Sequence, residues 1–193
     1  MRIISGEFRS RRLASPPQNI PTRPITDRVK EAVFNLLRGH FEDEAVVDCF
    51  AGAGGIGLEA ISRGAAHCLF VEQSRVCAKT LKENIESLGA GDRSEVVIGD
   101  ALSPALLVRI RRPPHVIFLD PPYAMTDDVG QRGQILEQMA RLATHMDPSG
   151  FLVLRTAWPL EDTSFVHSRL LGPETHEYNS MAVHLFQPAA AGV

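Results

Sequence analysis

The chain predicts an α/β fold organised as a mostly parallel, doubly wound sheet, and three features of its 193 residues carry that prediction. From Ala45 onward, short apolar runs alternate with stretches of helical periodicity, the pattern of successive βαβ units. A glycine-rich loop joins the first run to the helix after it. Polar or acidic residues stand where the runs end, at the carboxyl edge where such sheets gather their ligands.

The opening segment, Arg2 to Leu13, alternates weakly around Ser5-Gly6 and reads as a short hairpin or extended arm. Pro16, Pro17, Pro21 and Pro24 then stiffen a connector. Thr26 can cap a helix whose apolar positions Val29, Ala32, Val33, Leu36 and Leu37 recur at helical spacing, with Gly39 at its end. Strands are expected at Ala45 to Phe50, Cys68 to Val71, Glu95 to Ile98, His115 to Leu119 and Phe151 to Arg155. Between them fall a helix from Leu58 to Arg63, one capped by Ser74 with Cys77, Leu81, Ile85 and Leu88 on one face and Gly89 at its close, and one carrying Ile135, Leu136, Met139, Leu142 and Ala143. The tail reads as a hairpin, pairing either His167 to Leu171 or Glu174 to Tyr178 with Ala182 to Phe186. Ala124 to Gly133 reads as a surface loop, with a lid over the site as the alternative. The expected organisation is a basic arm and connector over 1–24, one domain over 25–188 and a frayed tail over 189–193.

Composition excludes several classes. No apolar run spans a bilayer, and the N-terminus lacks the apolar core of a secretory signal, so a cytoplasmic protein is expected. Cys49, Cys68 and Cys77 form no paired-spacing motif and read as reduced core or helix-face thiols. The seven histidines lack metal-site spacing, and no metal is expected. A net charge of −3 conceals an asymmetry. Arg2, Arg9, Arg11, Arg12, Arg23, Arg28 and Lys30 outweigh Glu7 and Asp27 in the first thirty residues, so a basic arm precedes an acidic body. Arg9, Arg11 and Arg12 around Phe8 suit phosphate contacts and a base stack.

Gly52-Ala53-Gly54-Gly55-Ile56-Gly57 matches G-x-G-x-x-G between a strand and a helix, and Glu72 ends the next strand. Such a loop lets backbone approach a cofactor, and the carboxylate can accept from ribose hydroxyls. Neither distinguishes a nicotinamide dinucleotide from S-adenosylmethionine. Asp48-Cys49-Phe50-Ala51 before the loop, Asp100 after the third strand, and Asp120-Pro121-Pro122-Tyr123 after the fourth together favour the methyl donor.

The tetrapeptide suggests methylation of an exocyclic amine on a nucleic-acid base. That amine is a poor nucleophile because its lone pair is delocalised into the ring. A site must therefore accept its N–H groups and steer the nitrogen toward tetrahedral geometry. Two prolines fix φ and donate no N–H, so the Asp120 carboxylate and the Pro121 carbonyl can form a rigid acceptor pair, while Tyr123 offers a face to the base.

With these pieces in view, the chain resembles the bacterial 16S rRNA (guanine(966)-N2)-methyltransferase family over nearly its full length. The matching stretches are Met1 to Gly6, Arg23 to Glu31, Asp48 to Gly54, Gly57 to Ala60 with Ser62-Arg63-Gly64, and Asp120 to Tyr123. The resemblance implies a seven-strand, Rossmann-like class I methyltransferase sheet with a small N-terminal β-hairpin, S-adenosylmethionine as donor, and a guanine N2 amine of small-subunit rRNA, in the subunit or an assembly intermediate, as acceptor. It places Arg23, Thr26 and Asp27 near the methionine end of the donor. Asp48, Phe50, Ala51, Gly52 and Gly54 fall around the loop beneath it, Glu72 at the ribose, and Asp100 with Ala101 at the adenine. Asp120, Pro121, Pro122 and Tyr123 face the base, and Arg2, Arg9, Arg11, Arg12 and Arg28 face RNA. A monomer is expected. Two positions depart from the family pattern: Ala53, where Ser is common, and Arg155-Thr156-Ala157, where acidic residues are. The alternatives are a DNA adenine-N6 or cytosine-N4 methyltransferase, a nicotinamide-dependent oxidoreductase, and a non-catalytic RNA-binding assembly factor.

Overall fold

A computed structural model of the chain describes residues 1–17, 25–160 and 165–189. Seven strands form one sheet in the order β3-β2-β1-β4-β5-β7-β6. β1 (Ala45–Cys49), β2 (His67–Glu72), β3 (Ser94–Ile98), β4 (Val116–Leu119) and β5 (Phe151–Ala157) pair in parallel, whereas β7 (Met181–Pro188) runs antiparallel between β5 and β6 (Leu170–Tyr178). β1 and β4 are buried along their whole length, as central parallel strands covered on both faces must be.

Alternate residues of these strands serve two cores. Val116 and Phe118 of β4 pack on the face covered by α1 (Asp27–Leu36), α2 (Gly57–Ser62) and α3 (Arg75–Leu88), while Ile117 and Leu119 pack on the face covered by α5 (Val129–Ala143). The sheet is doubly wound, and the fold class read from the sequence holds.

The helix signals work where they are local. The Thr26 and Ser74 hydroxyls accept from the N–H groups of Val29 and Cys77, and Gly89 ends α3 in the left-handed region at φ 70°. The expected apolar face of α1 needs one correction. Leu36 is exposed, and Lys30 is fully buried in the first turn instead. Its ammonium lies 3.1 Å from Glu59, also fully buried, and donates to the Arg2 carbonyl at 2.6 Å. Periodicity marks apolar positions and cannot see a charge that finds its partner on another helix.

The N-terminal segment closes as a hairpin through an Arg2–Arg12 bridge and docks on α2. Ile4 and Ser5 N–H donate to the Glu59 carboxylate, Phe8 N–H donates to the Ser62 hydroxyl, and Ile3, Phe8 and Leu13 join the core. A Cβ on Gly6 (φ 82°) would lie 1.6 Å from the Ser62 carbonyl oxygen, so only glycine fits this contact.

Two further expectations change. The tail strand contains the Glu174 to Tyr178 choice whole and only Leu170-Leu171 of the other, with a register shift between Leu171 and Glu174. Residues 124–127 and 129–133 are helical, in α4 (Tyr123–Asp127) and the start of α5, and the extended Asp128 between them caps α5, its side chain accepting from Gln131 N–H at 2.8 Å.

Candidate active site

Strand order reverses between β1 and β4, and there the carboxyl ends open into a cleft of about 650 Å³. Asp48, Phe50, Ala51, Gly52, Glu72, Asp100 and Ala101 line one part of it; Asp120, Pro121, Pro122 and Tyr123 line another. Residues spread over 76 positions of sequence thus meet in one cavity.

The β1 end is shaped by backbone. Past Cys49 the chain turns through Phe50 at φ 63°, an uncommon value for a non-glycine residue, and Gly52 at φ 56°. Glu72 braces this turn, accepting Gly52 N–H at 2.7 Å on one oxygen and Ser74 N–H at 2.6 Å on the other. Asp48, 1% exposed, accepts Gly57 N–H at 2.8 Å on Oδ2, while its Oδ1 is buried with no hydrogen-bond partner among the described residues. Burial pushes the Asp48 carboxyl up to about 8, with the Gly57 N–H opposing and the negative charges of Asp120 and Glu72 adding to the rise. Asp100 is exposed at the rim and accepts Leu102 N–H at 2.8 Å; Ala101 is buried beside it.

Some expected donor-side residues lie elsewhere. Gly54 does not line the cleft; a Cβ there would meet Leu81 at 2.4 Å, so this glycine serves the packing of α3 against the loop. Gly57 likewise lets α2 approach Phe70. Thr26 and Asp27 are outside the lining as well, Thr26 as the cap of α1 and Asp27 paired with Arg2 at 2.8 Å. Arg23 falls outside the described residues. Asn84 of α3 carries no motif and is missed by sequence reading, yet its amide donates to the Ala53 carbonyl at 2.9 Å and to the Ala14 carbonyl at 3.1 Å, tying the glycine loop to the N-terminal arm.

The β4 end is shaped by side chains. Register pairs Leu119 with Leu154, so Asp120 and Arg155 are neighbours one step further along. Arg155 Nε and Nη2 donate to Asp120 Oδ1 and Oδ2, the latter at 2.8 Å, and its guanidinium lies 5.5 Å from the centre of the Tyr123 ring. Burial raises the Asp120 carboxyl above its ordinary value, and the Arg155 charge and hydrogen bonds oppose that rise. The Pro122 carbonyl accepts Met125 N–H at 2.9 Å, which commits it to the first turn of α4. Buried Arg132 reaches back to the Thr126 carbonyl at 2.7 Å, and the Thr126 hydroxyl donates to the Tyr123 carbonyl at 2.9 Å. Tyr123 is therefore held by a helical anchor.

A family profile described as "Conserved hypothetical protein 95" matches residues 1–168. The ribosomal RNA small subunit methyltransferase D of Escherichia coli strain K12 is 41% identical over 123 residues, 64% of this chain and 60% of that protein. The Bacillus subtilis protein YlbH is also 41% identical, over 125 residues covering 64% of this chain and 67% of its own length. A solved structure of the Escherichia coli protein yhhF superposes with a TM-score of 0.80 at 30% identity, covering 99% of both chains.

The chain belongs to the family of the small-subunit rRNA methyltransferase D proteins.

Membership in this methyltransferase family sets the oxidoreductase reading of the glycine loop aside. For the basic arm the structure divides the expected arginines. Arg9, Arg12 and Arg28 are exposed and make no side-chain bond among the described residues; Arg2 pairs with Asp27, and Arg11 donates to the Ser87 carbonyl at 2.7 Å. The expected base stack on Phe8 is corrected: its ring is 7% exposed, packed in the core beneath Arg93.

Proposed function

We propose that this protein transfers a methyl group from S-adenosylmethionine to the N2 amine of a guanine in small-subunit rRNA. One observation carries the reading: the Asp120–Tyr123 corner and the Gly52–Glu72 turn open onto the same cleft at the switch point of the sheet. The side chains fit such a donor. Each Glu72 oxygen keeps a lone pair beyond its backbone bond for a ribose hydroxyl, and the unpartnered Asp48 Oδ1 suits a cationic group. S-adenosylmethionine supplies, when bound, a methyl group on an electrophilic sulfonium.

The residues of the chain do the rest. Asp48, Phe50, Ala51, Gly52, Glu72, Asp100 and Ala101 bind and orient the donor. Asp120 and the Pro121 carbonyl accept the N–H groups of the guanine amine and direct its lone pair, and Tyr123 packs on the base after it leaves its stack. A proton leaves the amine with or after transfer, toward Asp120 or solvent. Arg9, Arg12 and Arg28, with Arg2 and Arg11 beside them, contact phosphates. The names of the relatives support rRNA as substrate class.

The test is incubation with radiolabelled S-adenosylmethionine and unmethylated small subunits, beside naked rRNA and an Asp120→Ala control, followed by mapping of the labelled nucleotide. Label on guanine N2 that disappears with Asp120→Ala is the expected result. Donor binding without any label on rRNA would overturn the assignment.

A further inference from the structure

We propose that Arg155 is the positioning residue of the acceptor side: by forking onto both Asp120 oxygens and lying against Tyr123, it fixes the two groups that hold the acceptor amine. The inference rests on the function proposed above, and adds a residue that the tetrapeptide does not contain.

Three features of the geometry carry it. Arg155 is 6% exposed and reaches Asp120 across adjacent strands, so a short path of regular backbone sets its position. Its planar fork engages Nε and Nη2 with separate oxygens, which fixes the rotation of the carboxylate plane as a lysine ammonium could not. An ionised carboxylate has about four lone-pair sites, so the fork leaves acceptor capacity for the amine on the same oxygens. The third contact, with the Tyr123 ring, links the acceptor to the face on which the base would lie.

The charges around Asp120 explain why a cation is needed there. The Asp48 carboxyl of β1 and the Glu72 carboxyl of β2 line the same cleft, and Asp48 feels the charge of Asp120. Arg155 of β5 opposes the rise that burial imposes on Asp120, and so favours the ionised carboxylate that an amine N–H needs as its acceptor.

The experiment compares Arg155→Met and Arg155→Lys with the wild type in three readouts: turnover against pH on unmethylated small subunits, donor affinity by calorimetry, and titration of the Asp120 carboxyl carbon by NMR without substrate. In Arg155→Met, turnover should fall by about a hundredfold, its acid limb and the Asp120 midpoint should both move upward, and donor affinity should stay within about twofold. Arg155→Lys should keep the midpoint near the wild-type value yet recover only part of the turnover, because the charge returns without the fork. If Arg155→Met fails to fold, Arg155→Lys alone decides, and wild-type turnover there overturns the proposal. An Asp120 midpoint that does not move in Arg155→Met also overturns it. Activity retained in Asp120→Ala would sink the function proposed above; an inactive Asp120→Ala beside fully active Arg155 variants would sink only the role of Arg155.

Discussion

Asp48 at the end of β1 and Asp120 just past the end of β4 line the same cleft, on strands paired in parallel, and burial raises both carboxyls. Their surroundings differ. Asp48 receives one backbone N–H and faces two other carboxylates, leaving Oδ1 without a partner; Asp120 receives a two-pronged guanidinium. Burial lifts Asp48 to about 8 with no cation to oppose it, whereas the rise at Asp120 is opposed by the Arg155 charge and hydrogen bonds. The difference fits the two halves of the proposed reaction. A cationic donor can complete Asp48 on arrival, but a neutral amine brings no charge, and the cation that favours an ionised acceptor must come from the chain itself.

Exchanging the acids for amides tests this comparison most directly. Asp120→Asn should lower methyl transfer by about 10³-fold, because an amide N–H would face the amine, while donor affinity stays within about twofold. It also strands Arg155, so the fold should lose about 3 kcal/mol or more in denaturant titrations. Adding Arg155→Met should restore most of that stability and none of the transfer. If the double variant remains as unstable as Asp120→Asn, the two residues are not one electrostatic unit.

Glu59 sharpens the comparison at the fully paired extreme. Its carboxylate has Lys30, Arg63 and the N–H groups of Ile4 and Ser5 around it. Lys30→Met should destabilise the protein by about 3–5 kcal/mol, since it leaves a buried acid short of a cation and frees the hairpin from α1. Equal melting temperatures for variant and wild type would contradict this. Asp48→Asn should act in the opposite direction. The folded carboxyl binds its proton near 8 against 3.8 in the unfolded chain, so the contribution of Asp48 to wild-type stability is most favourable at low pH and falls as pH climbs through that window. The amide avoids the loss while still accepting Gly57 N–H, and should be more stable by about 5 kcal/mol at pH 8, with the gap closing toward pH 4. Donor affinity should fall in the same variant. A gap independent of pH would show that Asp48 does not titrate in this window.

The two ends of the cleft were also unequally legible in the sequence. Strand, glycine loop, helix and Glu72 follow one another within about thirty residues, so the β1 end could be read from local order. Asp120-Pro121-Pro122-Tyr123 was readable for the same reason. Arg155 was visible only as a departure from a family pattern, because its meaning depends on which strand lies beside β4 and in what register. Lys30 and Glu59 were hidden likewise: nothing in the order of the chain pairs two charges twenty-nine positions apart, and packing brings them to 3.1 Å. Phe8, an aromatic among arginines, looked like a stacking platform and is a core residue, since the hairpin needs an apolar anchor on α2. Local chemistry survives in sequence, whereas pairings across the sheet do not.

His184 on β7 gives the mildest test, a buried base with neutral partners. The Thr156 hydroxyl donates to the Ala157 carbonyl, so it accepts from His184 Nε2–H at 2.9 Å, and Nδ1 accepts from the Thr175 hydroxyl at 2.9 Å. Burial lowers the imidazole to about 4 from 6.5. The unfolded chain therefore binds a proton that the folded chain refuses, and stability present above pH 6.5 is lost as pH falls toward 4. The loss should reach about 2 kcal/mol. His40 and His67, also lowered by burial, contribute in the same direction, so the share of His184 is the difference between the wild type and His184→Asn. That variant should start less stable at pH 7.5, where both threonine bonds are disturbed, and then lose less on acidification. Parallel acid limbs would mean that the imidazole is protonated without opening the β5–β7–β6 edge, and that the two hydroxyls reorient around it.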